Sequence, residues 1–550
     1  MKQKSRSVGC RLGVLAAALG SLGAGLAQAQ TTLTPGAIME TVPKEAPQIP
    51  QPRRDAPVQV TPVEGARNLD PNAPRFAVSS FKITGNSAID AAELQGVVAE
   101  RVGKSYNLFE LQKVADELTA YYRQRGYPVA RAVLPAQKVE GGAVTIEIIE
   151  GRADSVTFEG NETYSESLLQ RWAAPLIGKP VKLDAVEERM LAIDDLPGVT
   201  ASAVLTQGAL YGGTNLAVQV DDKPVEGQVS LNNYGRKEVG EGRIDANLAL
   251  NNPLGIGDQI GVRTSYSDGG LLRLYGASYS LPLNIYGTRL ALSYTTVDYR
   301  IGGDLRDLDL NGKSEIASAT VLHPFLRSQR ENLFGTVAVR SFSGRQYTDD
   351  LRLSDSDVTV LELGVAWNRI HDDFSYTAAS MRVSSNFRDS DKGTRNDAHK
   401  FKIEGEATHL MPLATNWDLK LTGAGLWSPD ALIDAERFSL GGPTSVRGYP
   451  AADVLGDRGI FGSVEARYRV SLGTAPGFIS AFVDGGRTAR KYAAAGTAEA
   501  RNLASVGVGF TIQPSEHFNA QIMAAVPVTS TDPGDDRNYG RLWVSLNGAF

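Results

Sequence analysis

The chain has 550 residues, 56 of them basic and 62 acidic, for a formal net charge of -6. So even a balance excludes a protein built to neutralise a nucleic-acid backbone, and the length accommodates several domains or a large barrel with smaller domains attached. Its single cysteine, Cys10, excludes a disulfide within the chain.

Met1 to Ala29 (1–29) reads as a secretory signal peptide. Lys2, Lys4, Arg6 and Arg11 form a basic start, Leu12 to Leu26 supply a short apolar run, and Ala27-Gln28-Ala29 offers small residues for cleavage. That run is too short to span a membrane comfortably. Cys10 precedes it, whereas a lipoprotein acceptor would follow it, and the mature chain is then left without cysteine. No later stretch approaches the ~20 consecutive apolar residues of a membrane helix. The exported chain is therefore either soluble or inserted as a barrel, whose alternating strands escape hydropathy detection.

Residues 30–75 are rich in proline and charge and read as an extended linker. At its start, Pro35 to Val42 suits a short helix, with Thr34 as cap and Pro35 in the first turn. From Phe76 an α/β pattern occurs twice. The first copy, 76–151, opens with the alternating strand Phe76 to Ile83, closed by Gly85-Asn86. Asp90 with Glu93, and Asn107 with Glu110, mark two helix starts. In the second helix Leu108, Leu111, Ala115, Leu118 and Tyr122 share one face, and Gly126-Tyr127-Pro128 stops it. Strands are expected at Val129 to Leu134 and Ala143 to Ile149. The second copy, 152–224, repeats the order β-α-α-β-β. It has a strand at Ser155 to Phe158, Gly160-Asn161, a helix near Ser165 to Ala173, and another capped by Asp184. Strands near Ala201 to Leu205 and Asn215 to Val220 complete it. The recurrence marks an internal repeat.

In residues 225–550 helical periodicity disappears. About sixteen candidate strands alternate along their length and are separated by Gly, Asn, Asp and Pro clusters. In Arg289 to Val297, Leu290, Leu292, Tyr294 and Thr296 face one way. In the last strand Leu542, Val544, Leu546, Gly548 and the terminal Phe550 share a face against Arg541, Ser545 and Asn547. Long, even-numbered, alternating strands behind a signal peptide predict a transmembrane barrel, which leaves no open sheet edge in lipid. A soluble sandwich would have shorter strands and no use for the terminal aromatic.

Chemistry-bearing constellations are sparse. Histidines 323, 371, 399, 409 and 517 are scattered, with no pair at metal-ligand spacing. Phosphate-loop and nucleophile-elbow motifs do not occur. Gly255 and Gly257 follow Asn252-Pro253-Leu254 and read as a turn between strands. The expectation is a protein that is not an enzyme and takes no cofactor or metal.

The informative charges lie late in the chain. In Phe461 to Val470 the alternation turns Ser463, Glu465, Arg467 and Arg469 to the lumen. In the next strand Ile479, Ala481 and Val483 face lipid, so Phe482 and Asp484 point inward. The preceding long connection, about Ser428 to Gly459, carries Ser445-Val446-Arg447-Gly448-Tyr449-Pro450. Its arginine suits a bidentate contact with an interior carboxylate. Alternation alone leaves open whether the loop folds inward or stands in solvent.

These motifs together resemble the FhaC/ShlB (TpsB) family of two-partner secretion transporters, over about Phe76 to Phe550. Gly126-Tyr127-Pro128-Val129-Ala130-Arg131-Ala132 with Leu134-Pro135 is similar to the first POTRA domain, Leu196-Pro197-Gly198-Val199 to the second, and Asn232-Asn233-Tyr234-Gly235 to the first barrel strand. Most specific are Val446-Arg447-Gly448-Tyr449 and Phe482-Val483-Asp484. The resemblance implies a plug helix near Pro35 to Val42, two tandem POTRA domains and a 16-stranded transmembrane β-barrel, an α+β part followed by an all-β part. It implies that the loop folds into the lumen and that Arg447 meets Asp484, with Glu465, Val446, Gly448, Tyr449 and Phe482 completing a conformational site. Tyr127, Arg131 and Phe81 are the implied client contacts, and Phe550 the implied barrel-assembly signal.

The implied function is export, without ATP, of one large secreted protein with an N-terminal secretion domain. Outer-membrane lipid and the barrel-assembly machinery are the other implied partners, and the POTRA domains lie in the periplasm. POTRA sheet edges would take the client by strand addition. Two other classes stay open: a barrel-assembly insertase, which would usually carry more POTRA repeats, and a passive porin or barrel enzyme.

Overall fold

The computed structural model describes residues 33–42, 58–60, 70–208, 210–349, 351–391, 399–492, 499–529 and 540–550. The signal peptide and most of the proline-rich linker lie outside the described residues. Of the N-terminal region the structure shows one helix, α1 (Pro35–Met39), and one strand, β1 (Val58–Val60). As its sequence suggests, α1 has proline in its first turn, and the Thr34 hydroxyl accepts the Ala37 N–H at 3.2 Å.

The first α/β unit contains β2 (Phe76–Ala77), β3 (Ser80–Thr84), α2 (Ala91–Val98), β4 (Ser105–Tyr106), α3 (Leu108–Gln124), β5 (Arg131–Val133) and β6 (Ala143–Ile149). Asn107 and Glu110 form a complete capping box for α3. The apolar face of that helix (Leu111, Ala115, Leu118, Tyr122) packs on a sheet of order β3-β6-β5.

The second unit contains β7 (Arg152–Glu159), α4 (Glu166–Ala173), α5 (Leu183–Asp194), β8 (Val199–Gln207) and β9 (Gly213–Asp222). Here one expectation fails: α5 begins at Leu183, so Asp184 sits in its first turn rather than at its cap, and Lys182 makes no side-chain cap. The linker also departs from expectation. Val58 to Val60 pairs in parallel with Ala203 to Leu205, giving a sheet of order β1-β8-β9-β7.

The repeat extends to a detail that spacing did not reveal. In the first unit Glu150 accepts the Ser87 and Ala88 N–H groups at 2.5 and 2.7 Å, while the Asn86 amide donates to Ile89 O at 3.0 Å. In the second, Asp222 accepts the Glu162, Thr163 and Tyr164 N–H groups, and the Asn161 amide donates to Tyr164 O at 2.7 Å. Each Gly-Asn turn is thus held by a carboxylate at the end of the unit's last strand. Burial acts to raise the Glu150 pKa, but the Ala88 and Ser87 donors and the Tyr122 hydroxyl outweigh it and hold it below the ordinary carboxylate range.

The barrel begins with β10 (Val225–Asn232), β11 (Arg243–Asn251), β12 (Gln259–Ser267), β13 (Leu272–Pro282) and β14 (Arg289–Arg300). It continues through β15 (Leu310–Arg327), β16 (Glu331–Thr348), β17 (Leu351–Ile370), β18 (Tyr376–Asp391), β19 (Phe401–Ala414) and β20 (Trp417–Trp427). Two short strands, β21 (Phe438–Leu440) and β22 (Val454–Gly456), pair with each other inside the long connection. The wall resumes with β23 (Arg458–Leu472), β24 (Ala475–Ala489), β25 (Ala500–Ser515), β26 (Phe518–Pro527) and β27 (Arg541–Ala549). The closed wall has sixteen antiparallel strands, and β27 pairs back onto β10. Outward side chains such as Ile460 and Val483 are 65% and 58% exposed, whereas Asp484, one residue on, is fully buried. That is the alternation of a lipid-facing wall.

The second α/β unit is fastened to short turns at one end of the barrel. Arg327, at the end of β15, donates twice to Asp195 at 2.8 and 2.7 Å, and Arg189 of α5 donates to Ile285 O at 2.8 Å. The long connection after β20 emerges at the opposite end.

Candidate functional site: a loop arginine seated in the lumen wall

The connection between β20 and β23 turns inward as the β21–β22 hairpin, which resolves the question that alternation left open. At its tip the Tyr449 N–H donates to Val446 O at 3.2 Å, making a turn. Val446 and Tyr449 are fully buried with Leu440, Val454, Phe461 and Leu503. A Cβ on Gly448 would stand 2.7 Å from Ser505 Cβ and 2.9 Å from the Pro527 backbone nitrogen, so only glycine lets the turn lie flat on the wall. The Tyr449 hydroxyl reaches Thr529, and its neighbour Arg447 is only 7% exposed.

Arg447 donates from Nε and Nη2 to the two Asp484 oxygens at 3.0 and 2.7 Å, and its own backbone N–H adds a bond of 3.1 Å. Nη1 donates to Glu465 at 2.8 Å and Nη2 to Ser463 Oγ at 3.0 Å. The guanidinium lies 3.3 Å from the centre of the Phe482 ring. The register explains the grouping: Ser463 is opposite Asp484 and Glu465 opposite Phe482, so period-two alternation brings all four to one patch of inner wall. Arg467 neutralises the other Glu465 oxygen at 2.7 Å.

Some residues of the site were not singled out from sequence. The Ser505 hydroxyl donates to Asp484 at 3.1 Å, and the Trp543 indole N–H donates to Arg447 O at 2.7 Å. A signal for Trp543 was present: it lies between Leu542 and Val544, both outward, so it must face the lumen. Asp484 therefore accepts from Arg447, Ser463 and Ser505, a fully partnered buried carboxylate.

The helix α1 lies in the same lumen. Ile38, Met39 and Val42 pack with Leu274, Tyr299, Phe342 and Val360 of the inner wall and with Ile433 of the inward loop. Arg243 donates to Thr41 O at 2.6 Å, Gln346 to Leu33 O at 2.9 Å, and the Thr34 hydroxyl to Asp434 at 2.6 Å. Below, where the second α/β unit meets the wall, a cavity of about 530 Å³ is lined by Asp221, Ser280, Ser293, Ser318 and Thr320 among others.

Other candidate residues fall elsewhere. Phe81, expected to touch a client, is 4% exposed in the core of the first unit, because β3 turns its apolar face to α2; it presents no surface. Tyr127 is half-buried and meets Tyr122 edge-on, with ring centres 5.8 Å apart. Arg131 lies on β5, an edge strand of its sheet. Phe550 is 64% exposed on the outer face. Two of the scattered histidines do meet: the Thr377 hydroxyl bridges His371 and His409, each at 2.8 Å. Among the described residues no three potential metal ligands gather.

A closed sixteen-stranded wall, α/β units at its short-turn end and a loop folded down to an interior carboxylate define an outer-membrane barrel transporter of the POTRA-bearing superfamily. Residues 212–512 match the family described as haemolysin secretion/activation protein ShlB/FhaC/HecB, and residues 76–151 match the ShlB-type POTRA domain. The chain belongs to this ShlB/FhaC/HecB family. It is 25% identical to the heme/hemopexin transporter protein HuxB of Haemophilus influenzae over 486 residues, covering 84% of this chain and 85% of that one. It is 27% identical to the outer membrane transporter CdiB of Escherichia coli O6:K15:H31 over 424 residues, 74% of this chain and 71% of that one. The solved structure of CdiB from Escherichia coli superposes with a TM-score of 0.72 over 89% of this chain and 93% of that one, at 24% identity, which speaks for the fold. The chain sits in the outer membrane with its POTRA domains in the periplasm, and it translocates a partner exoprotein.

Proposed function

We propose that the client is a single large protein with an N-terminal secretion domain, taken up by the POTRA units and passed through the lumen. The chain's role is transport rather than catalysis. In this reading α1 is a plug, the inward loop is a second occupant, and the Arg447 contact holds the loop in the state from which secretion starts. Outer-membrane lipid covers the apolar outer face, and the barrel-assembly machinery inserts the chain. The observation that carries the reading is that α1 lies in the lumen through apolar packing and a few hydrogen bonds to the wall and the inward loop. Such an arrangement can be displaced without unfolding the barrel.

The test is planar-bilayer conductance of the full chain against a variant lacking residues 33–42. Deletion should raise conductance several-fold. Equal conductance would remove the plug from the mechanism and favour a barrel whose pore is blocked by the loop alone.

A further inference from the structure

The motif Asn232-Asn233-Tyr234-Gly235 has no part in the loop site, yet it sits where the barrel closes. The seam between β10 and β27 has five paired residues, Gln228 to Asn232, whereas the flanking ladders β10–β11 and β26–β27 each have eight. At its periplasmic end the seam is extended by reciprocal Gly227–Phe550 bonds of 3.0 and 2.9 Å. At the other end a side chain takes over. The Asn233 backbone N–H donates to Val544 O at 3.2 Å. Its carboxamide then accepts the Val544 N–H at 2.7 Å and donates to Leu542 O at 2.7 Å. A carboxamide carries the same donor and acceptor as a peptide group, so Asn233 supplies the next rung after the β10 backbone has turned away.

The next residue ties this rung to the loop. Tyr234 packs edge-on against Trp543, with ring centres 6.0 Å apart, and the Trp543 indole holds the Arg447 carbonyl at 2.7 Å. We infer that Asn233 and Trp543 are positioning residues that latch the first-to-last strand seam and couple it to the seated loop. Withdrawal of Arg447 from the wall then loosens the seam, and opening the seam unseats the loop. The inference rests on this geometry and holds whatever the barrel carries.

The experiment is hydrogen–deuterium exchange on the full chain in detergent micelles, followed at residues 541–546 and 446–449. Asn233→Ala should speed exchange at 541–546 about tenfold, the effect of losing a bonded rung, with β16 unchanged as internal control. Asn233→Asp, which keeps the acceptor and loses the donor, is the milder variant if the alanine protein does not assemble. Trp543→Phe keeps the ring against Tyr234 and should speed exchange chiefly at 446–449. Arg447→Ala should speed exchange at 541–546 several-fold, although the hydrogen bonds of its side chain go to β23, β24 and β26. Wild-type exchange at 541–546 in both Asn233 variants would overturn the latch, and wild-type exchange there in Arg447→Ala would overturn the coupling.

Discussion

Arg447 uses its whole guanidinium: one edge grips Asp484, one nitrogen reaches Glu465, and the flat face lies on Phe482. A lysine ammonium supplies a point charge without the planar fork, so Arg447→Lys should secrete client poorly, close to Arg447→Ala. Removing the arginine leaves the buried Asp484 without a cation, while Glu465 keeps Arg467, a change of about 3–5 kcal/mol if the site stays dry. The lumen can admit water once the loop leaves, so that cost falls on the seating of the loop and, through Trp543, on the first-to-last seam rather than on the rest of the wall. Arg447→Ala and Asp484→Ala should therefore assemble at normal levels and secrete poorly, and the double variant should be little worse than either. Additive secretion defects would separate the two residues. Glu150 gives a second residue-scale prediction. Because its folded pKa is depressed, its contribution is complete above the ordinary carboxylate value of about 4.3 and is lost as pH falls through the lower folded value. Protease resistance of the periplasmic domains should drop in that window, and Glu150→Gln should be less resistant at pH 7 with a flatter acid profile. Asp484 was legible in the sequence because strand alternation fixes which side chains face inward, whereas Arg447 sits in a loop that alternation leaves open and only the resemblance to the family pointed it at Asp484. Phe81 was misplaced as a client contact because a motif locates a domain without saying which of its aromatics fill the core.

The same division holds for elements. Strand alternation, the α3 capping box and the α1 cap depend on residues two to four apart, and the sequence states them directly. The seat of α1 depends on Arg243, Gln346 and Asp434, some 200 to 400 positions away, and no local pattern encodes it. Nor does Val58-Gln59-Val60 stand out among the prolines around it, because the strand it pairs with, the β8 edge, is more than 140 positions away. At Gly36 the helix approaches the loop so closely that a Cβ would stand 2.3 Å from the Ala435 backbone nitrogen. Gly36→Ala should force α1 and the Asp434–Glu436 turn apart, since the obstacle is backbone and cannot swing aside. Conductance of Gly36→Ala should rise towards that of the deletion lacking residues 33–42, with barrel levels unchanged. Wild-type conductance would mean that the helix shifts as a body and still fills the lumen.

At the scale of the molecule the chain must join its last strand to its first, and the join is short. Five backbone pairs are supplemented at one end by Asn233 and at the other by Phe550, whose N–H and C=O both bond Gly227. The ring of Phe550 also lies over Gly227, where a Cβ would stand 2.1 Å from it. The terminal residue therefore does two jobs: it adds a rung to the seam and covers a glycine gap on the outer, lipid-facing surface. Deleting Phe550 removes both. Replacing it with Asp keeps the backbone rung but sets a charge on a lipid-facing wall, a change worth up to a few kcal/mol that shrinks towards the interface. Both variants should lower the amount of heat-modifiable barrel in the outer membrane, the deletion more strongly, while Phe550→Tyr should stay near wild type. Gly227→Val separates the two jobs, because it leaves the terminal aromatic intact for the assembly machinery and only displaces its ring. If Gly227→Val assembles normally and the Phe550 deletion does not, the terminal residue acts as an assembly signal. If both fall together, its main role is to close the seam.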